Sequence, residues 1–317
     1  MSHRLEAAPD TVHWGYFDPA LTPVLTIDDG ERVHVTTVSG VPEVMPPPNS
    51  GFCIPDDLAQ IHKSTARGPA NHILTGPIAI RGAEPGTVLE VKILDVSLRS
   101  NWGWNCIRPY WGVLQNEFSA RYLSYVAIDR DRMTGTLPSG LSVPLAPFFG
   151  IMGVAPPNSS GRQSSKEPRS YGGNIDFKDM RPGTTLYLPV WVPGAMFSVG
   201  DGHAAQGDGE VNGTAIETAL SGSFEFHVRK DLTWGLPRAE TESHFVTFGF
   251  SEDINTAFHD ALHEMLDWIV TLHDVSREDA YALASVAVDL RVTQVVNGVK
   301  GAHAMLAKSG ICRSRPR

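Results

Sequence analysis

Two stretches of the 317-residue chain repeat one another, and this repeat restricts the fold more than any other feature of the sequence. GPIAIRGAEPGTVL begins at Gly76 and GNIDFKDMRPGTTL begins 97 residues later, at Gly173, and the two align without a gap. Each copy is typical of a strand, a Pro-Gly turn and a second strand. The alternative is that two unrelated hairpins share a common turn sequence. A repeated strand-turn-strand module predicts stacked β-sheets, that is, a β-sandwich.

The aligned copies differ most in chemistry at one position. Ala79 of the first copy aligns with Asp176 of the second. A carboxylate in one copy and a methyl group in the other is the difference expected if one module is specialised for function.

The rest of the chain is also rich in strand signals. The 30 glycines and 23 prolines indicate many turns. Short alternating runs such as VHVTTV at 33–38 are typical of half-buried strands. Residues 155–173 are rich in Pro, Ser and Gly, so a long irregular loop or flap is expected there.

Helical spacing appears late in the chain. Apolar residues between Phe258 and Leu272 form one helical stripe, Ser276 and Asp279 form a capping box, and residues 286–292 alternate as a strand does. The predicted fold is therefore β-rich α+β, with stacked sheets followed by a C-terminal helix-helix-strand portion. Its parts, intertwined as one unit, are an N-terminal β-rich part (1–100), a central β-rich part that carries the site (101–243) and a C-terminal α+β part (244–317).

Charge and hydropathy restrict the partners and the location. A net charge of −9 and a pI near 5.7 argue against nucleic acid and against anionic membranes. The only basic cluster is the final RSRPR, which is expected to be disordered. A polar N-terminal stretch and the lack of any apolar run of about 18 residues predict a cytoplasmic protein. Three cysteines without CxxC spacing predict reduced thiols.

The stretch VGDGHAAQGDGE at 199–210 is the strongest candidate site. It follows an apolar run that predicts a strand ending at Gly200. If the extended geometry continues, Asp201 and His203 point to one side, about 7 Å apart, and can hold one metal ion. Glycines then allow a bend that brings a second polar group to the same place, namely Gln206, Asp208 and Glu210. The alternative is a solvated Gly/Asp turn. An EF-hand loop is excluded, because a loop that starts at Asp201 would need Gly at its sixth position and Glu at its twelfth, and this chain has Gln206 and Asn212 there.

Three other motifs are weaker. His259 and His263 lie one helical turn apart beside the apolar stripe, which predicts a surface helix. Cys106, in a tryptophan-rich segment, is either a thiol nucleophile or a buried inert cysteine. The run Ser-Ser-Lys at 164–166 contains residue types that one class of amidases uses for catalysis, but a flexible polar loop accounts for it better.

Several segments together resemble the acetamidase/formamidase family of amidohydrolases. They are, in order, HWGYFDPALTPVLTIDDGERVHVTTVSG, NHILTGPIAIRGAEPG, GGNIDF, GDGHAAQGDGE and DLRVTQVVNGVKGAHAM, and they extend over nearly the whole chain. The resemblance implies hydrolysis of a short amide such as formamide or acetamide at a metal-assisted site in a β-rich, cytoplasmic, dimeric protein. It also implies that the D-x-H and Q-G-D-G-E residues belong to the site, and that His72, Asn174 and Asp176 match the family. One departure is Thr87, where the family pattern usually has an aspartate.

These inferences combine into one hypothesis for the site. The metal ligands are His72, Asp176, Asp201 and His203, and the ion is zinc, with calcium kept open as a second ion. Glu210 is the general base, and Asp208 orients His203. Gln206 and Asn174 bind the substrate amide, and tryptophans 102, 104 and 111 wall a small pocket, with Trp104 against the substrate. A cysteine amidase using Cys106 and a noncatalytic metal-binding β protein are the alternatives. The expected partners are the amide and a second copy of the chain.

Overall fold

The computed structural model describes residues 1–311 of the protein, so the basic tail and Cys312 lie outside the described residues. Within this range the chain forms the helices α1 (Asp56–Ser64), α2 (Ile254–His273) and α3 (Arg277–Ala287). The strands, numbered along the chain, are β1 (Ser2–Leu5), β2 (Val12–Trp14), β3 (Tyr16–Phe17), β4 (Leu25–Ile27), β5 (Arg32–Thr36), β6 (Ile73–Ile80), β7 (Val88–Leu98), β8 (Trp102–Ile107), β9 (Tyr122–Asp129), β10 (Thr134–Thr136), β11 (Ser142–Pro144), β12 (Phe148–Gly153), β13 (Gln163–Ser164), β14 (Gly172–Asn174), β15 (Thr185–Pro189), β16 (Phe197–His203), β17 (Leu220–Arg229), β18 (Arg238–Glu240), β19 (His244–Ser251), β20 (Val288–Gln294) and β21 (Lys300–Ala307).

Two large sheets form the body of the molecule. The larger has nine strands in the order β1-β5-β17-β7-β15-β18-β19-β21-β20. The other follows the order β14-β12-β16-β6-β2, with β4 paired to β6. A four-stranded sheet (β11-β10-β9-β8) and the pair β13-β3 complete the strand pairing. Strands from all three predicted parts of the chain enter the nine-stranded sheet; the division into parts itself stays a prediction.

The main hydrophobic core lies between the two large sheets. Phe197 of β16 packs on Phe224 and Phe226 of β17, with ring centroids 5.9 and 5.1 Å apart. Phe149 of β12 reaches the same Phe224 ring at 5.6 Å. All of these rings are buried, and aromatic pairs at such distances add to the free energy gained from burial. The predicted stack of sheets is therefore confirmed.

The repeat is visible in the structure as two matching connections between the sheets. Each copy leaves the six-stranded sheet, at β6 or β14, and enters the nine-stranded sheet, at β7 or β15, through its Pro-Gly turn. The turns bond reciprocally: the Gly86 N–H donates to the Val190 carbonyl at 3.1 Å, and the Gly183 N–H donates to the Ile93 carbonyl at 2.9 Å. Val190 and Ile93 are themselves 97 residues apart, so the two copies are related by a local two-fold.

The predicted C-terminal helix-helix-strand portion is confirmed, with one addition. Ser276 caps α3, as the capping box predicts, and Asp253 caps α2, which was not predicted. The strand begins at Val288 rather than Val286, since α3 continues to Ala287. The addition is β21, which lies between β19 and β20. Its residues are buried on both faces, so they lack the alternation that marks a half-buried strand. No helix within residues 1–311 is long and apolar enough to cross a membrane.

Candidate active site

The sequence predicted that the strand before Asp201 ends at Gly200, and this end point is wrong. β16 continues to His203, and its last residues pair with β12. Asp201 has a positive φ of 56° instead of extended geometry. The side chains nevertheless meet, because His203 Nε2 lies 3.4 Å from Asp201 Oδ2. The predicted D-x-H pair therefore exists as a buried contact.

Three carboxylates of the candidate site have left-handed backbone geometry. The φ angles are 55° at Asp176, 56° at Asp201 and 48° at Glu210. Such angles cost free energy in residues other than glycine, on the order of 1–3 kcal/mol each, and they cluster at functional sites. Gly150 of β12 faces this group directly: a Cβ atom there would lie 2.5 Å from Asp176 Oδ1 and 3.0 Å from Asp201 Oδ2. Only a glycine at position 150 leaves these carboxylates their space.

The ionisable side chains converge in two overlapping sets. Asp176, Asp201 and His203 each offer a ligand atom within 4.8 Å of the others. His203, Glu210 and Glu217 form a second set of the same size. All five residues are buried. Four carboxyl groups around one imidazole, away from water, are costly unless protons or a cation balance their charge.

His203 is oriented by Gln206 and not by Asp208. His203 Nδ1 lies 2.9 Å from Gln206 Oε1, and Gln206 Nε2 donates to the Asp176 carbonyl at 2.9 Å. The Gln206 oxygen can only accept, so the Nδ1 atom of His203 carries a proton. Both ends of the Gln206 amide are thus used within the protein, so its predicted contact with substrate is replaced by a positioning contact.

Asp208 points away from the cluster. Its carboxylate pairs with Lys178 Nζ at 2.9 Å and is partly exposed. The bend in the chain therefore brings Gln206 and Glu210 inward and turns Asp208 to the surface. The predicted role of Asp208 in orienting His203 is wrong, since the Nδ1 atom that it would contact is taken by Gln206.

His72 belongs to the rim of the cluster. Its Nδ1 lies 2.9 Å from Ser165 Oγ, and the residue lines the cavity described below, next to Asp201. It is not part of either compact ligand set. Ser165 is fully buried, and the Lys166 carbonyl accepts a hydrogen bond from Asn174 Nδ2 at 3.0 Å. The interpretation of this loop as merely flexible and polar is therefore wrong, because it packs against the site.

Two residues of the site were not predicted. Glu217 Oε2 lies 3.4 Å from His203 Nε2, and Asn297 Nδ2 donates to Asp176 Oδ2 at 2.7 Å. A signal for Glu217 was present, since it is the only charged residue between Glu210 and Glu225 in an otherwise apolar or neutral stretch. Asn297 lies in an Asn-Gly pair, which reads as an ordinary turn.

The charges of the cluster shift its pKa values in opposite directions. Burial raises the pKa of Asp176 to about 8; the His203 imidazole opposes this rise, and the Asp201 carboxylate adds to it. Burial also disfavours a charged Asp201, but the imidazoles of His72 and His203 outweigh it and hold the pKa of Asp201 below its ordinary value.

The pKa values of Glu210 and Glu217 are raised, as that of Asp176 is. Burial and the Asp176 carboxylate raise the pKa of Glu210 well above its ordinary value, and burial raises the pKa of Glu217. Burial disfavours a charged His203, but Glu217 and Asp201 outweigh it and raise the pKa of the imidazole. Burial therefore favours the protonated forms of Asp176, Glu210 and Glu217, so protons balance part of the negative charge that one imidazole cannot balance.

Two buried atoms of the cluster lack hydrogen-bond partners among residues 1–311, namely Asp176 Oδ1 and His203 Nε2. Nε2 lies 3.4 Å from two carboxylates, but neither contact has hydrogen-bond geometry. An unused oxygen and an unused imidazole nitrogen, with Nδ1 already bonded, are the donor set that a divalent metal accepts. The residues therefore fit a metal ion.

The cluster opens into a cavity of about 330 Å³. Trp104 and Trp111 line it, as predicted, whereas Trp102 packs on Phe52 and Tyr125 instead. Cys106 is buried in β8 and is not among the lining residues. At the inner end the cavity is lined by the polar residues His72, Asn174, Asp201, Glu210, Glu217 and Asn297.

Comparison with known proteins decides the family. The profile of the Acetamidase/Formamidase family matches residues 2–166 and 160–306. The chain belongs to the acetamidase/formamidase family. The resemblance seen in the sequence is thereby confirmed.

Curated relatives of this acetamidase/formamidase family member are distant. A formamidase of Methylophilus methylotrophus is 28% identical over 44% of this chain and 47% of its own length. An acetamidase of Mycolicibacterium smegmatis is 29% identical over 50% of this chain and 53% of its own length. The chain thus aligns with about half the length of these two relatives.

Solved structures of the family match over nearly the full chain. A predicted acetamidase/formamidase of Thermoanaerobacter tengcongensis superposes with a TM-score of 0.85 at 28% identity, covering 97% of this chain and 96% of its own. An acetamidase of Bacillus halodurans gives 0.83 at 30% identity, covering 96% and 97%. The β-rich α+β fold is therefore that of the family.

Proposed function

We propose that the protein hydrolyses short-chain amides of the formamide and acetamide type to a carboxylate and ammonia. Family membership and the relatives named formamidase and acetamidase support this proposal. The observation that carries it is the buried cluster of Asp176, Asp201, His203, Glu210 and Glu217 at the inner end of a cavity. It combines metal ligands with proton carriers beside a space that a small molecule can enter.

We propose that Asp176, Asp201 and His203 hold a divalent cation, with His72 as the fourth candidate ligand. A cation bound there would polarise the amide carbonyl and lower the pKa of a bound water. Zinc suits this set better than calcium, because calcium takes oxygen ligands and the set includes an imidazole nitrogen. Gln206 and Asn297 position the set, since they hold the imidazole and the Asp176 carboxylate by hydrogen bonds.

The other residues of the cavity bind the amide and move its protons. Asn174 Oδ1 is buried and without a partner among residues 1–311, so it can accept a hydrogen bond from the substrate NH₂ group. Trp104 forms an apolar wall for the acyl side. Glu210 accepts the proton that the attacking water loses and returns it to the departing nitrogen. Amide and water are thereby converted to the carboxylic acid and ammonia.

Ammonia release from formamide, acetamide, propionamide and butyramide tests this function. We expect activity that a chelator removes and zinc restores, with metal content followed by elemental analysis. Asp201→Asn and His203→Gln should lose both metal and activity. Full activity in both variants would contradict the proposal.

Cys106→Ser separates the cysteine alternative. Cys106 lies outside the cavity lining, so this variant should keep wild-type activity. Loss of activity in Cys106→Ser, together with resistance to chelation, would instead favour a cysteine amidase. Retained metal with no ammonia from any primary amide, neutral or anionic, would favour a noncatalytic metal-binding protein.

We also propose that the partner is a second copy of the chain, joined at the free edge of β20. This strand ends the nine-stranded sheet, and its run VDLRV at 288–292 is self-complementary. Antiparallel pairing about a two-fold axis at Leu290 would set Asp289 of each copy opposite Arg291 of the other. Tyr281 of α3 is 61% exposed and lies with Val288 and Leu290 in one surface depression, so it adds apolar surface next to this edge.

Charge reversal tests this interface by light scattering after size exclusion. Asp289→Arg should give monomers, since two arginines then face each other. The double variant Asp289→Arg with Arg291→Asp should restore the dimer. A wild-type monomer, or a dimer unaffected by Asp289→Arg, would reject this interface.

A further inference from the structure

Two cationic side chains on the cavity lining lie against one indole ring. The Arg108 guanidinium carbon is 4.6 Å from the centroid of Trp111, and Lys166 Nζ is 4.4 Å from it. All three residues line the cavity that leads to the acidic cluster. Cations held on an aromatic ring are fixed in position, which suits them for recognition of a ligand.

Neither cation forms a salt bridge with a carboxylate among residues 1–311, although the carboxylates of Glu217 and Glu210 are near enough to oppose the lowering of the pKa of Arg108 by burial. Arg108 donates one hydrogen bond, from Nη2 to the Gly213 carbonyl at 3.0 Å. Its Nε is buried and has no partner in the described part of the chain. A half-buried guanidinium with unused donors is a strong candidate for binding a carboxylate.

The size of the cavity also exceeds what the simplest amides need. Its volume of about 330 Å³ falls within the range of about 300–1,000 Å³ that suits ligands much larger than acetamide. Arg108 and Lys166 line the same cavity as Asp201, Glu210 and Glu217 of the acidic cluster, so positive and negative side chains face one space. A substrate that fills this space would carry the amide at one end and a negative group at the other.

We propose that Arg108 and Lys166 bind a carboxylate of the substrate, so that the preferred substrates are monoamides of short dicarboxylic acids. This inference rests on the proposed amidase function and specifies its substrate class. Succinamate is a representative: with one water it gives succinate and ammonium, the C–N bond breaking and a C–O bond forming at the amide carbon. Arg108 supplies the directed hydrogen bonds, and Lys166 adds a point charge.

The test compares each anionic amide with a neutral amide of the same shape. Malonamate pairs with 3-methylbutanamide and succinamate pairs with 4-methylpentanamide, because an isopropyl group replaces the carboxylate. We expect kcat/KM to favour the anionic member of at least one pair by 10-fold or more, on the order of what charged hydrogen bonds contribute. Arg108→Met should reduce this ratio about 10- to 100-fold, and Lys166→Met should reduce it less. Arg132→Met, on the surface, is the matched control and should leave the ratio unchanged.

The outcomes separate this inference from the amidase proposal. If both members of each pair are hydrolysed equally, or if Arg108→Met lowers both equally, the carboxylate site is rejected and the amidase function stands. Calorimetric titration with succinamate gives a reading that needs no turnover. Binding that weakens in Arg108→Met but not in Arg132→Met, without ammonia release, would keep the carboxylate site and reject the amidase. No binding and no preference for anionic amides would overturn the inference.

Discussion

Residues 76–89 and 173–186 make matching Pro-Gly connections between the two large sheets, yet only the second copy enters the candidate site. In the first copy Ala79 packs against the buried cluster formed by Ala155, Val192 and Met196. In the second copy the aligned Asp176 is buried among carboxylates and held by Asn297. The backbone also differs at this position, since Ala79 lies within β6, whereas Asp176 follows the end of β14 and has a φ of 55°. The scaffold is therefore set by the turns and the sheets, and the chemistry is added to one copy.

The largest expected effect follows from removing the residue that distinguishes the copies. Asp176→Asn keeps the shape and tolerates a positive φ, but it removes a charged ligand oxygen. We expect kcat/KM for amide hydrolysis to fall about 1,000-fold or more, as when one member of a catalytic group is lost. The thermal midpoint of the metal-free protein should not fall, because a buried carboxyl group is removed. An Asn variant with more than a tenth of wild-type activity would show that the copies differ for another reason.

Gly150→Ala should disturb only the second copy. The new Cβ would lie 2.5 Å from Asp176 Oδ1 and 2.7 Å from His203 Cε1, so these groups must move. A displacement of about 1 Å at reacting groups costs about 100-fold in rate. Gly207→Ala is the matched control, since a Cβ there meets nothing within 4 Å. Ammonia release and metal binding should both fall in Gly150→Ala and remain in Gly207→Ala; equal behaviour of the two would refute the steric argument.

Each copy also has a buried histidine beside it, and both should make the fold sensitive to acid. His13 of β2 lies opposite β6, and the His303 ring lies 4.8 Å from that of Phe177. Burial lowers the pKa of each histidine to about 4. The unfolded chain, with a histidine pKa near 6.5, binds more protons, so stability is lost as the pH falls from about 6.5 towards 4.

Between pH 7.5 and pH 5 we expect a loss of about 2 kcal/mol for each histidine in the free energy of unfolding, measured with urea. His303→Phe removes one of the two groups and keeps the aromatic contacts with Phe177 and Phe248. Its stability should therefore fall by about 2 kcal/mol less than that of the wild type over the same pH interval. Parallel pH profiles of the two proteins would argue against a buried neutral His303.

The smallest expected effect tests the equality of the two turns. Gly86 and Gly183 have φ angles of 92° and 89°, and a Cβ at either position meets nothing within 4 Å. Gly86→Ala and Gly183→Ala should each cost about 1 kcal/mol of stability, through the backbone angle alone. Equal shifts in thermal midpoint would support equivalent copies. If the two variants differ from each other by more than about 1 kcal/mol in the free energy of unfolding, one turn supports the fold more than the other.

Much of the fold was accessible from sequence because its signals are local. The Pro-Gly turns, the capping box at Ser276 and the apolar stripe of α2 each depend on residues within a few positions of one another. The site was only partly accessible. Asp201 and His203 are near neighbours, but Asn297 reaches Asp176 across 121 residues, and that pairing depends on how β20 and β21 close the sheet.

Asp208 shows why spacing alone was insufficient. Because Gln206, Asp208 and Glu210 are two residues apart, their spacing predicted that all three point to the same side. The left-handed angle at Glu210 and the hydrogen bond from the Gly209 N–H to the Thr293 carbonyl bend this segment instead. Alternation no longer holds across such a bend, and Asp208 turns to Lys178. Angles of this kind are set by tertiary contacts, so residue types cannot reveal them.

The left-handed angles at Asp176, Asp201 and Glu210 have a consequence for protein engineering. Glycine adopts such angles freely, so replacement at these three positions relieves backbone strain, and at Asp176 and Glu210 it also removes a buried carboxyl group whose pKa burial raises, whereas at Asp201 it removes a carboxylate that pairs with His203. A screen that rewards heat resistance alone would therefore enrich glycine at 176 and 210, and its most robust products would be the ones least able to turn over substrate.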